Sequence, residues 1–191
     1  MCNRSKEPTP YDGLPAHRFW RSGVAQRHPL SFEFIYTPRF NINSKTKVAT
    51  AGSCFAQHIA THLRKRGFNV LDKEAPPRGL SAELARHYGY GLFSARYGNI
   101  YTVRHLLELF RDAQTPDDAP CILWREGDRY VDAMRPGVEP GGFADPEEVI
   151  AHRRAHLRRV GKLFRDADVF VFTLGLTEAW QDRATNRTFP I

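Results

Sequence analysis

Cysteine is scarce in this chain. Cys2, Cys54 and Cys121 are the three among 191 residues, with no C-x-x-C spacing, so neither a disulfide framework nor a structural zinc site is indicated and a reducing compartment is expected. Long apolar runs are missing as well. No stretch is long enough to span a bilayer, and Met1–Pro10 has no apolar leader core, which predicts a cytoplasmic protein without a membrane partner. There is no internal repeat, no H-E-x-x-H pattern and no nucleic-acid-binding motif, so no metal, cofactor or nucleic-acid partner is expected.

The charge balance is basic. Lys and Arg number 28 against 21 Asp and Glu, a net +7 that would suit an anionic partner were it spread over a binding face. Much of the excess instead falls between His152 and Arg165, where Ile150, Leu157, Val160 and Phe164 keep one apolar stripe. The spacing predicts an amphipathic helix whose charges form a solvated face.

The length suffices for one domain with its own core. Residues 1–31, rich in Pro, Gly and Arg, read as an extended amino-terminal arm, and 32–191 as the domain; an apolar patch at Leu30–Tyr36 lies across that boundary. The domain reads as α/β. Lys47–Ala51 is predicted as a strand and Cys54–Arg66 as a helix with Phe55, Ile59 and Leu63 at helical spacing, stopped by Gly67. Phe68–Leu71 is expected as a second strand, parallel to the first because only a crossover helix fits between them.

A short helix is expected from Ser81 to Tyr88, then a helix capped by Thr102 with Val103, Leu106, Leu107 and Phe110 on one face. Cys121–Trp124 and Tyr130–Asp132, flanking Glu126-Gly127-Asp128, read as a hairpin. Asp145-Pro146-Glu147-Glu148 opens the basic helix with an acceptor, a proline and two acids. Val169–Leu174 is nearly continuous apolar sequence, which predicts a parallel strand buried on both faces. Three parallel strands are few for an open sheet, so the chain is expected to be the front part of a longer protein.

The most informative segment is Lys47–Ala56, where an apolar run ends in Gly52-Ser53 and passes straight into a helix. Such a strand-to-helix turn places Ser53 where nucleophiles sit, and the first helical amides present unpaired N–H groups suited to an oxyanion. Gly and Ser are also ordinary helix starters, so a simple N-cap is the competing interpretation. Cys54 is a rival nucleophile because helix amino termini favour the thiolate. Adjacent helical residues point about 100° apart, so the two cannot share one pocket.

Gly52-Ser53-Cys54-Phe55-Ala56, together with Tyr97–Thr102, Asp132–Pro136 and Phe172–Trp180, resembles the motif set of the GSCFA family, placed with the SGNH (GDSL-like) hydrolases. The resemblance covers the chain from about Phe32 onward. It implies a three-layer α/β sandwich around a central parallel sheet, incomplete at the carboxyl end, and a serine esterase or O-acyltransferase whose partner is a small-molecule or glycan ester. Ser53 falls in the serine column. Gly98 matches the glycine whose amide donates to the oxyanion, and Gly175-Leu176-Thr177-Glu178 falls on the third block. There Thr177 replaces the usual Asn, so its hydroxyl or the neighbouring Asn99 would supply that donor; losing one such donor costs about 10²–10³ in rate.

A serine nucleophile also needs an imidazole oriented by a carboxylate, and no Asp-x-x-His aligns with the family's base block. His58 and His62, like His152 and His156, stand at i, i+4, but neither pair comes with a third zinc ligand in a known pattern. His87 and His105 carry no assigned role. Glu178 either pairs with a basic group or orients the Ser53 loop, or else is a helix-start carboxylate. Trp180 is expected in the core or as a pocket wall. The alternative to an enzyme is a non-catalytic carbohydrate-binding or scaffolding module that keeps the fold.

Overall fold

The computed structural model describes residues 8–31 and 35–190. The stretch Phe32–Phe34 of the expected apolar patch, and Cys2, lie outside the described residues. Two compact units divide the chain, Met1–Ile42 and Asn43–Ile191. Within the first, short helical turns form at Ala16–Arg18 and Arg21–Ala25.

The second unit is mixed α/β, in the order β1 (Val48–Gly52), α1 (Cys54–Lys65), α2 (Ala82–His87), α3 (Val103–Gln114), β2 (Leu123–Glu126), β3 (Arg129–Asp132), α4 (Pro146–Asp166) and β4 (Val169–Thr173). β1 and β4 pair in parallel from Val48↔Val169 to Gly52↔Thr173, and β2 and β3 form the expected antiparallel hairpin around Gly127. β1 is buried throughout. Its small Ala49 and Ala51 share a core with Phe93, Tyr97, Ile100, Leu109, Leu157, Val160 and Leu163.

Local signals set the helix ends as expected. α1 stops at Gly67 (φ +79°), whose amide bonds the Arg64 carbonyl while Phe68 N–H reaches back to the Leu63 carbonyl, a Schellman closure. Thr102 Oγ1 accepts from His105 N–H at 3.2 Å, and Asp145 Oδ1 from Glu148 N–H at 2.8 Å.

Tertiary packing overrides several expectations. Phe68–Leu71 forms only a parallel bridge, Val48↔Val70, because Ser94 takes the Thr50 groups that a longer ladder would use: the Thr50 amide donates to Ser94 Oγ at 2.9 Å and the Thr50 carbonyl accepts from the Ser94 amide at 3.4 Å. β4 is half-buried rather than buried on both faces, since among the described residues β1 is its only ladder partner. α1 seats its Ala56 and Ala60 against the core and leaves Phe55 63% exposed, small residues allowing the helix close to β1. α3 buries His105, Glu108, Leu109, Asp112 and Ala113, turning Val103, Leu107 and Phe110 outward. α4 keeps Arg154, Arg158, Arg159, Lys162 and Arg165 in solvent, but its basic face is not wholly solvated: Arg153 and His156 are 2% and 1% exposed.

Candidate active site at the β1–β4 edge

Gly52 ends β1 with φ +139°, a conformation glycine tolerates, and a Cβ there would collide with the Thr173 hydroxyl and backbone. Ser53 follows as the N-cap of α1, yet its side chain caps nothing. Its Oγ shares a hydrogen bond with Thr173 Oγ1 at 3.4 Å, its amide donates to the Thr173 carbonyl at 3.4 Å, and the residue is 9% exposed. Cys54, one position on, is exposed, so the two side chains diverge as helical geometry requires.

Two further loops close on Ser53. Ile100 N–H donates to the Gly52 carbonyl at 2.8 Å, which draws in the Gly98–Asn99 loop, and Gly175 N–H donates to the Tyr101 carbonyl at 3.0 Å. Gly98 has φ +69°, and among the described residues its amide donates to no group. Asn99 Nδ2 donates to Tyr101 Oη at 3.0 Å, while its Oδ1 is buried without a partner. The structure therefore brings Ser53, Gly175 and the Gly98–Asn99 loop to one strand edge. Thr177 and Glu178 are exposed and line, with Leu176, Ala179 and Trp180, an open depression of about 480 Å³. Neither is hydrogen-bonded to Ser53. Trp180, 72% exposed, belongs to that depression and not to the core.

Behind the edge lies a buried ionic network that the sequence reading missed. Asp132 accepts from Arg135 Nε at 2.9 Å, from Arg153 Nη1 at 3.3 Å and from the Met134 amide at 3.0 Å. Burial alone would raise its carboxyl; the two guanidiniums outweigh this and hold it below the ordinary value. Arg153 Nη2 reaches Asp112 at 2.7 Å, and Arg187 pairs with the same carboxylate. Arg96 donates to Glu139 at 2.6 Å, and its carbonyl accepts from Arg135 Nη1 at 3.2 Å.

Glu74 Oε2 accepts from the Arg96 amide at 2.6 Å and from His156 Nδ1 at 2.7 Å. Burial pushes the Glu74 carboxyl up, but His156, Arg135 and that amide bring it down to about 2. The same burial, with Arg135 beside it, holds His156 down at about 4, so a neutral imidazole donates Nδ1–H to a carboxylate. Its Nε2 is buried without a partner. His152 Nδ1 accepts from Arg135 Nη2 at 2.9 Å, which a guanidinium donor requires of a neutral ring, and burial and Arg135 hold it near 4.

One signal does mark this network. Val149, Arg153, His156, Val160 and Leu163 recur at alternating spacings of four and three, so the buried stripe of α4 is periodic once Arg and His are admitted to it.

No curated protein and no solved structure matches the chain. The GSCFA family model matches residues 47–190, which take in the Ser53 turn, the Gly98–Asn99 loop, the Asp132–Arg135 pair and the segment after β4. On that match this chain belongs to the GSCFA family.

Proposed function

We propose that this GSCFA domain is an SGNH-like serine esterase or O-acyltransferase acting on O-acyl groups of small molecules or glycans, with its parallel strands as the centre of a three-layer sandwich. The unpaired Cys54 and Cys121 suit the reducing cytoplasm, where we place it. The observation that carries the reading is the convergence of Ser53, Gly175 and an unengaged Gly98 amide at one strand edge.

In this scheme Ser53 Oγ attacks the acyl carbonyl carbon as its proton passes to a base, and the tetrahedral oxyanion takes hydrogen bonds from the Gly98 amide and from the Ser53 amide as it exchanges its long 3.4 Å bond to the Thr173 carbonyl for the oxyanion, aided by Asn99 or Thr177. The ester C–O bond then breaks and the alcohol leaves with a proton. Water or a second hydroxyl attacks the acyl-serine, giving hydrolysis or transfer. Thr173 Oγ1 is the side-chain partner of the Ser53 hydroxyl, and no imidazole bonds it among the described residues. Imidazole added to solution therefore supplies the proton acceptor and should speed the reaction.

A second reading has its own support: Ser53 is only 9% exposed, while Trp180 offers an open aromatic face beside Thr177 and Glu178. That arrangement suits a non-catalytic carbohydrate-binding or scaffolding module. A fluorophosphonate separates the two. Covalent labelling of Ser53, accelerated by imidazole and lost in Ser53→Ala, supports the enzyme; an unlabelled protein whose glycan binding is lost in Trp180→Ala supports the module.

A further inference from the structure

A cavity of about 180 Å³ opens beside the candidate site. Gly98 and Asn99 form one part of its rim, and Gln57 of α1 forms another. Gln57 lies in the first turn of α1, four residues after the N-cap Ser53. The cavity thus begins about one helical turn along the chain from Ser53 and shares the Gly98–Asn99 loop with the candidate site. Its apolar lining is Leu92, Phe93, Pro136, Val138 and Pro190, with Gly137 between Pro136 and Val138.

From this placement we infer that the cavity holds the acyl chain of the substrate, and that the chain is short and uncharged. The inference rests on the serine acyl-transfer reading above. Length follows from volume. A dry cavity of about 150 Å³ holds one benzene ring, so this one encloses about four to six carbons, and a longer chain would have to leave its end in solvent.

Charge follows from the lining. Arg135 is its one ionic side chain, and that guanidinium is already engaged by Asp132, the Arg96 carbonyl and His152. An acyl group ending in a carboxylate or phosphate would be buried there with no counter-charge to meet it.

Gly137 makes the inference testable. Gly137 is an exposed residue of the cavity's lining; a Cβ there meets no atom within 4 Å and its φ is not positive, so a larger residue narrows the cavity at its solvent side without straining the backbone. Ser53 is labelled with fluorophosphonates bearing a methyl, n-butyl or n-dodecyl group on phosphorus, in imidazole buffer, and followed by intact mass. The Ser53 Oγ–P bond forms as P–F breaks, fluoride leaves and imidazole takes the proton.

The expected result is butyl labelling at least tenfold faster than dodecyl, with the butyl-to-methyl ratio falling at least tenfold in Gly137→Leu and by less in Gly137→Ala. Equal butyl and dodecyl rates, or ratios unmoved by Gly137→Leu in a folded variant, overturn the inference while leaving the nucleophile in place. Absence of labelling by all three reagents overturns the nucleophile instead. The cavity is then judged by butyramide titration: amide shifts at Gly98 and Gly137 that vanish in Gly137→Leu uphold a short-chain site, and no shifts in the wild type overturn it.

Discussion

Gly175 and Ser53 are packed so closely that a Cβ on the glycine would stand 3.0 Å from Ser53 Cβ and 2.9 Å from Tyr101 Cδ1. Both neighbours are held, Tyr101 by the backbone bonds its carbonyl accepts from Gly175 and Leu176, and Ser53 by β1 and α1. The added methyl of Gly175→Ala must therefore press on both the tyrosine ring and the serine. Overpacking of this kind costs about 1–3 kcal/mol, whereas misplacing a nucleophile by about 1 Å costs on the order of 10² in rate. Fluorophosphonate labelling of the variant should fall much further than its urea midpoint. Equal losses in both would mean that the contact is structural only.

Gly52→Ala meets two obstacles, a positive φ and the Thr173 backbone in the ladder. The strained backbone costs about 1–3 kcal/mol and the collision adds to it, so a drop of more than about 2 kcal/mol is expected in chemical denaturation. A drop below about 0.5 kcal/mol would show that the turn relaxes freely.

Asp132 bridges two buried guanidiniums, those of Arg135 and Arg153. Removing one member of a buried pair leaves uncompensated charge and costs about 3–5 kcal/mol. Asp132→Ala should lose that much in urea unfolding, and adding Arg135→Met should restore part of it by removing the cation left without a carboxylate, since Arg153 keeps Asp112. Full additivity of the two losses would speak against the coupling.

Acid should unfold this protein early. Burial holds His105, His152 and His156 near 4, with Arg135 adding to the effect at the last two, against about 6.5 for an unfolded histidine. As pH falls from about 6.5 to about 4, the unfolded chain binds protons that these rings refuse, so stability falls by up to about 1.4 kcal/mol per pH unit for each. Glu74, held near 2, extends the loss from about 4.3 downward. Denaturation midpoints should be level above pH 7 and decline below it; a flat profile from pH 7.5 to 4.5 would contradict the buried neutral rings.

The two thiols should differ in reactivity. Cys54 is exposed at the start of α1, while burial pushes the Cys121 thiol up to about 11. Iodoacetamide at pH 8 should alkylate Cys54 at least tenfold faster, by peptide mass, because the thiolate is the reacting form. Comparable rates would show that Cys121 opens to solvent.

What the sequence revealed was local. Asp145-Pro146, Thr102 and Gly67 mark helix ends through hydrogen bonds to residues a few positions away, and Gly52-Ser53 marks the strand-to-helix turn by adjacency. The misread features depend on distant partners. Arg153 and His156 look like solvated charges until Asp112, Asp132 and Glu74, at separations of 41, 21 and 82 residues, are folded against them. Phe55 appears core-forming until the alanines beside it take the contact with β1. The approach of Gly175 to Ser53 leaves no trace in spacing, because it is set by the Tyr101 carbonyl.

The β1–β4 ladder joins segments as far apart as Lys47 and Asp168, whose bond spans 121 positions. During synthesis, therefore, the ribosome releases β1 long before its mate emerges. The loop that must close before this pairing forms is long, so refolding should be slow for so small a chain.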